Sequence, residues 1–187
     1  MLKGKKVVLR PVKRTDVRYF LKWFNDPEVI QYLTLYLPML ESSEEKWIEG
    51  LSARKDDVVF VIDAVESKRG RKTIGNCGLQ GIDNKDQKAT FGIAIGNKNF
   101  WSNGYGTEAA RLLIDYGFKE LNLRRITSYV YEFNLRSKNM HLSLGFQEEG
   151  CYRKDVYKNG RFWNKIILGL LREEWEERKA KTSKQPV

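Results

Sequence analysis

At 187 residues, 41% hydrophobic and 12% aromatic, the chain has the size and composition of one globular domain and lacks the signature of a disordered chain. No uninterrupted apolar run approaches the roughly 18 residues that a membrane span needs, and the early run Val7-Val8-Leu9 is broken at once by Arg10, so neither a membrane span nor a signal peptide is expected. Lysine and arginine number 34 against 24 acidic residues, and the net charge of +10 points to anionic partners: a phosphorylated cofactor, an acidic substrate or nucleic acid. The basic residues are scattered rather than gathered in one tract, which weighs against a dedicated nucleic-acid surface. Cys77 and Cys151 lie far apart and His141 is the only histidine, so no metal site and a reducing, cytoplasmic setting are expected.

In chain order, Lys6–Arg10 reads as a strand ended by Pro11. Thr15-Asp16 predicts the cap of a helix with Val17, Phe20, Leu21 and Phe24 inward, and Asn25-Asp26-Pro27 breaks it before a second short helical piece. Ser42-Ser43-Glu44-Glu45 has the form of another cap, with Trp47, Ile48 and Leu51 inward. From Val58 to Ile62 the pattern is that of a buried strand, Glu66–Lys72 that of a charged turn, and Thr73–Ile82 and Lys88–Ile95 those of two more strands in an antiparallel meander. A loop, Gly96–Asn103, leads into an amphipathic helix from Gly104 to about Leu121, apolar at Ala110, Leu113, Ile114, Gly117, Phe118 and Leu121, with Glu108, Arg111, Asp115 and Lys119 as its polar stripe. Arg125–Tyr131 predicts a strand, Leu135–Leu144 a helix closed by Gly145-Phe146, and Gln147–Tyr157 with Arg161–Leu171 a hairpin about the turn Lys158-Asn159-Gly160. Residues 1–171 are expected to form one mixed α/β domain and 172–187 a charged helix or tail, disordered from Thr182.

The segment Trp101-Ser102-Asn103-Gly104-Tyr105-Gly106-Thr107-Glu108-Ala109 stands between a strand and a helix. Its glycines let an anion approach the backbone, and successive free N–H groups at a helix start bind phosphate oxygens. An ordinary glycine-bearing helix entry has the same spacing. Gly104-x-Gly106-x-x-Ala109 also matches the dinucleotide fingerprint, and Glu132 follows at the next strand's end. That fingerprint places its first glycine almost directly after the strand; here about eight residues intervene, and the preceding strands form a meander. No Gly-x-x-x-x-Gly-Lys-Ser/Thr is present.

The order of elements, this loop and Asn134-x-x-Ser137-x-x-x-His141-x-x-x-Gly145-Phe146 resemble the GNAT acetyltransferase superfamily. Val8-Leu9-Arg10-Pro11, Trp23-Phe24-Asn25-Asp26-Pro27-Glu28-Val29 and Trp101-x-x-Gly104-Tyr105-Gly106-Thr107-Glu108-Ala109 are similar to its ribosomal-protein N-terminal acetyltransferase-like branch, and the resemblance runs from about Lys5 to Leu171. It implies a single mixed, mostly antiparallel twisted sheet of about seven strands with a splayed central parallel pair, flanked by about four helices.

The resemblance also implies acetyl-CoA as cosubstrate and no metal. The backbone of Ile93, Ala94 and Ile95 would pair with the pantetheine amides and point one N–H at the thioester carbonyl, where charge develops during attack. Asn103, Gly104, Tyr105, Gly106 and Thr107 would hold the pyrophosphate, Asn134 the pantetheine, and Arg136 or Lys138 the adenosine phosphates. The position that in this superfamily usually carries a tyrosine, to protonate the departing thiolate, is His141 here; Ser137, one turn earlier, is the second candidate, and water a third. Thr90 replaces the glutamate that many relatives use as base, which leaves Glu28, Asp83 or a water chain.

N-acetyl transfer to a primary amine is the leading reading, with a protein N-terminus or lysine and a small amine as competing acceptors. The net charge gives no support to a polyamine, and the apolar segment Tyr32–Leu40 suits a peptide or simple core packing. A non-catalytic module binding an acyl-CoA or nucleic acid is the alternative, and a homodimer through the last strands is a further expectation.

Overall fold

The computed structural model describes residues 1–66 and 70–183. Of the charged turn expected over Glu66–Lys72, residues 67–69 lie outside the described residues, while Glu66 ends one strand and Gly70–Lys72 begin the next. Of the tail expected to be disordered from Thr182, the part from 184 lies outside them, while the last helix runs to Ser183. In chain order the elements are β1 (Leu2–Lys3), β2 (Val7–Pro11), α1 (Val17–Phe24), α2 (Pro27–Ile30), α3 (Glu41–Gly50), β3 (Val58–Glu66), β4 (Gly70–Asp83), β5 (Lys88–Ile95), α4 (Tyr105–Lys119), β6 (Arg125–Tyr131), α5 (Leu135–Ser143), β7 (Gln147–Lys158), β8 (Arg161–Leu171) and α6 (Arg172–Ser183). The strands hydrogen-bond in the order β1-β2-β3-β4-β5-β6-β8-β7, a mixed sheet of eight strands whose one parallel pair is β5–β6. The two-residue β1 is the strand the sequence pattern did not disclose, being too short to show an alternation. Among the described residues no helix is long and apolar enough to cross a membrane.

The chain divides into two compact units, Met1–Gln80 with Gly92–Leu113, and Gly81–Phe91 with the residues from Ile114 onward. In the first unit, β2 pairs antiparallel with β3 from Val7↔Ala64 to Pro11↔Phe60, and β3 pairs antiparallel with β4. Val7, Val8 and Leu9 are all buried, so β2 is covered on both faces rather than alternating. Arg10 is the exception: its guanidinium takes both oxygens of Asp16 at 2.8 Å and one of Asp63 at 2.8 Å, the paired arrangement that a largely buried charge requires. Asp16 is the N-cap residue of α1, as expected, but its carboxylate is spent on Arg10 and the Lys13 N–H and makes no cap bond, and a short 3-10 turn at Arg14–Asp16 leads into the helix. Val17, Phe20 and Trp23 form the buried side of α1, with Leu21 and Phe24 at its margin. Phe20, Trp23, Val29 and Val61 make a core cluster against which Tyr19, Phe24, Leu33, Trp47, Ile48 and Trp101 pack. Gly96 lies so close under the Trp23 ring that a Cβ there would come within 2.1 Å of it.

In the second unit β6 pairs antiparallel with β8 and β8 with β7. The β7–β8 turn has positive φ at Asn159 (52°) and Gly160 (81°), which explains why that dipeptide marks the hairpin in the sequence. α6 is more than a charged tail. Trp175 is buried at 3% exposure and donates from its indole to Asp115 Oδ1 at 2.8 Å, and Lys179 reaches the same oxygen at 2.6 Å. Asp115 therefore leaves the solvated stripe that helical periodicity gave it, and holds α6 in place.

Candidate active site

In the first unit, the loop after β5 turns through a 3-10 segment, Lys98–Phe100, started by the Asn97 side chain, which accepts from the Asn99 N–H. The Trp101 indole donates to the Ile95 carbonyl at 2.6 Å and fixes the loop to the end of β5. Ser102 (φ 60°) and Gly104 (φ 80°) then take left-handed conformations, and α4 begins at Tyr105. The Glu108 N–H reaches the Gly104 carbonyl at 3.0 Å, while among the described residues no acceptor takes the N–H groups of Asn103, Gly104, Tyr105, Gly106 or Thr107. Five successive donors at the positive end of a helix dipole form a cradle for an anion.

Two residues that the sequence reading did not single out complete this cradle. Glu108 takes the N–H groups of Lys5, Lys6 and Val7 at 2.9, 2.6 and 2.9 Å, so it anchors the entry to β2. That anchor brings the Lys6 ammonium to 3.1 Å from the Asn103 carbonyl and 5.8 Å from the centre of the Tyr105 ring. A cation thus hangs at the mouth of the loop. The glutamate of the Thr107-Glu108-Ala109 motif was the available signal, but its partners lie about a hundred residues away in sequence.

Ile93, Ala94 and Ile95 are half-buried residues at the end of β5. The β5–β6 ladder runs from Lys88↔Arg125 to Phe91↔Ser128, and Gly92–Ile95 continue beyond it. In the second unit, Asn134 caps α5 through its Oδ1, which accepts from the Ser137 N–H at 3.2 Å. Lys138 is paired with Glu148 at 2.6 Å, and Arg136 is exposed on the same helix. His141 is 2% exposed, with its Nδ1 2.8 Å from the Ser137 carbonyl oxygen. A carbonyl only accepts, so Nδ1 carries the proton. Nε2 is buried without a hydrogen-bond partner among the described residues, and the ring stands edge-on to Phe91 and Phe146 at 5.4 and 5.0 Å between centres. Burial lowers the imidazole below the usual histidine range, against the opposing hydrogen bond to Ser137. Ser137 is only half-buried, and its Oγ lies 3.5 Å from Nδ1.

The carboxylates read as candidate bases are engaged elsewhere. Lys98 bridges Glu28 at 2.6 Å and Asp26 at 2.8 Å, and Asp83 accepts the Lys85 and Asp86 N–H groups of its turn at 2.9 Å each. Among the described residues no group of histidine, cysteine and acidic side chains is arranged to hold a metal.

Residues 6–147 match the family model described as acetyltransferase (GNAT) domain. Over 178 residues the chain is 31% identical to the uncharacterized N-acetyltransferase p20 of Bacillus licheniformis, covering 91% of this chain and 95% of the relative. It is 30% identical over 173 residues to the spermidine N(1)-acetyltransferase of Escherichia coli K12, covering 90% and 88%. Among solved structures, a spermidine N-acetyltransferase from Vibrio cholerae, crystallised with CoA and spermine, superposes with a TM-score of 0.83 at 22% identity, over 92% of this chain and 99% of the other.

Proposed function

The chain belongs to the GNAT family of N-acetyltransferases, and on that premise we propose that it transfers the acetyl group of acetyl-CoA to the primary amine of a small cationic molecule. The observation that carries the donor assignment is the row of five unfilled N–H groups from Asn103 to Thr107 beneath the Lys6 ammonium, which fits a pyrophosphate in both charge and hydrogen-bonding sense. Backbone groups of Ile93, Ala94 and Ile95 hold the pantetheine amides and stabilise the oxyanion formed on attack. Asn134, whose Oδ1 is used in capping α5, offers its side-chain N–H groups to the pantetheine, and Arg136 its charge to the adenosine phosphates.

An ammonium group with a pKa of about 10 must lose a proton before its nitrogen attacks the thioester carbon. The C–N bond forms, the C–S bond breaks, and the CoA thiolate takes up a proton. Ser137 serves this last step better than His141. Ser137 is half-buried and its hydroxyl proton is free to rotate, whereas the His141 N–H is committed to a backbone carbonyl and its other nitrogen is a bare lone pair among phenylalanines. His141 then acts by holding the first turn of α5. Glu28 keeps a role at the acceptor side only as half of its ion pair with Lys98.

The small-amine acceptor rests on the relative named a spermidine N(1)-acetyltransferase, matched over nine-tenths of this chain. A peptide N-terminus is the second reading, favoured by the exposed apolar side chains Tyr36, Leu37 and Leu40 ahead of α3. Purified protein mixed with acetyl-CoA and a panel of small amines and peptides, followed by thiol release, separates the two. Turnover on no acceptor despite CoA binding sinks the transferase assignment.

A further inference from the structure

We infer that the β7–β8 hairpin is a binding site for single-stranded nucleic acid, built from residues to which acetyl transfer assigns no part. The basic residues of the whole chain are scattered, but residues 151–165 hold five of them against one acidic residue. The fold then sorts them by face. Along β8, Ile166, Leu168 and Leu170 are buried on one side, so Arg161, Trp163 and Lys165 share the other. Cross-strand pairing sets Tyr152 of β7 opposite Lys165 and Tyr129 of β6 opposite Ile167, which brings both tyrosines to that second face.

On this face rings and cations interleave. Tyr129 and Tyr152 stack at 6.4 Å between centres, and they are 44% and 48% exposed. The Lys165 ammonium stands 5.5 and 5.4 Å from the two ring centres, and the Arg161 guanidinium lies 3.5 Å over the Trp163 ring. Trp163 is itself fixed, by Phe133 at 4.7 Å and by its indole bond to the Lys158 carbonyl at 3.0 Å. Beside Tyr152 the ladder breaks, and Arg153, Lys154 and Asp155 bulge out against Asn164 alone. The Lys154 N–H donates to the Asn164 side chain at 2.9 Å, and Asn164 donates its own N–H and Nδ2 to the two Glu132 oxygens at 2.9 Å each. The bulge is thus held open around a cleft of about 700 Å³, lined by Cys151, Tyr152, Arg153, Lys154, Asp155 and Asn164. Asp155 is paired with Lys165, whereas Arg153 and Lys154 are exposed and meet no carboxylate among the described residues.

This face suits a partner that brings planar apolar surface and negative charge together. A single-stranded nucleic acid offers both at every nucleotide: bases stack on the exposed tyrosines, and phosphates pair with Arg153, Lys154 and Arg161. A duplex keeps its bases inside and would use only the cations. A second copy of the chain, packed face to face about a two-fold axis, would set these cations against themselves.

The test is fluorescence anisotropy of the full chain with a labelled oligouridylate of about 12 nucleotides, beside an RNA duplex of equal length. The wild type should bind the single strand more tightly than the duplex. Tyr152→Ala should weaken the single strand about tenfold and leave the duplex unchanged, since only a free base loses its stacking surface. Arg153→Glu combined with Lys154→Glu should weaken both probes at least about tenfold and flatten the salt dependence. CoA affinity, measured by calorimetry, should stay at the wild-type value in every variant. Should Tyr152→Ala not fold, Tyr129→Ala must show the same loss confined to the single strand. No binding of the oligouridylate by the wild type at about 0.1 M salt overturns the inference. Equal binding of strand and duplex, or equal losses on both in Tyr152→Ala, overturns it as well, by leaving charge alone. A dimer in sedimentation that Tyr152→Ala dissolves, with oligouridylate binding intact, gives the face to a second copy. Retention on anionic lipid vesicles without RNA binding gives it to a membrane, and either result overturns the nucleic-acid assignment.

Discussion

The Nδ1 of His141 lies 2.8 Å from the carbonyl oxygen of Ser137 one helical turn earlier, and this one contact decides what the imidazole has to offer. With its proton committed to that carbonyl and Nε2 enclosed by Phe91 and Phe146, the ring is a neutral packing group. Ser137→Ala should therefore lower kcat by about a hundred- to ten-thousandfold with little change in CoA affinity, the range for a lost proton donor. His141→Phe should lower it less. A larger loss for His141→Phe than for Ser137→Ala, with both variants folded, would return the acid role to the histidine.

The same burial makes a pH prediction for stability. Burial lowers the folded-state pKa of His141 below the ordinary histidine value of about 6.5, so the unfolded chain binds a proton that the folded chain refuses. The stability held by the neutral ring is complete above the unfolded value and declines as pH falls below about 6.5, until the folded pKa is reached. Urea titrations from pH 7.5 to 5 should show this decline in the wild type and a shallower one in His141→Phe. Parallel slopes would show that other groups govern the acid limb.

Glu108 links the phosphate loop to the entry of β2, and its removal should act on both. Glu108→Ala leaves the Lys5, Lys6 and Val7 N–H groups without their carboxylate and should cost about 1–3 kcal/mol, two of the three being solvent-exposed residues. It also frees the Lys6 ammonium from its place above Asn103, so CoA should bind more weakly even where the variant is fully folded. Glu108→Gln, which keeps one acceptor oxygen, should lie between. Titration calorimetry with CoA beside a urea melt separates the two effects.

Features encoded within a few residues are the ones legible in the sequence. The helix start at Trp101–Thr107, the Asn159-Gly160 hairpin and the buried run of β3 each follow from local backbone preference and periodicity. Glu108 and Asp115 looked like members of a solvated stripe because their partners, the Lys5–Val7 backbone and Trp175 with Lys179, are set by the fold and not by helical spacing. Trp23 stands in a local motif that gives it no place in the core, and the close approach of Gly96 to its ring supplies one. Glu44 resembled a capping residue because an acidic side chain after serines is the usual form of a helix start; only the packing of α3 shows that it faces inward. The two-unit division cuts through β5 and α4, elements that periodicity presents as continuous.

Gly104→Val tests the phosphate loop most directly. Gly104 has a φ of 80°, a region in which a β-branched residue is strained by about 1–3 kcal/mol, and a Cβ there would also stand 3.6 Å from the Lys6 ammonium. The variant should lose CoA affinity by at least about tenfold, since one redirected N–H of the five is worth roughly a charge-assisted hydrogen bond. Stability should fall by no more than the backbone strain, because Gly104 is exposed and supports no core contact. Wild-type CoA affinity in a folded Gly104→Val protein would remove the loop from the site.

The charged sequence of α6 conceals a structural anchor. Trp175 is 3% exposed and joined to Asp115, and burial of that carboxyl is outweighed by its bonds to Lys179 and Trp175, which hold it below the ordinary aspartate range. Trp175→Ala should destabilise the protein by about 3–5 kcal/mol, the cost of deleting a large core aromatic. Asp115→Asn should cost less, since its amide oxygen still accepts from the indole while the charge pairing with Lys179 is lost. The two effects should also be non-additive, because both substitutions break the same contact. A urea melt of Trp175→Ala within about 0.5 kcal/mol of wild type would mean that α6 behaves as the surface tail its composition suggests.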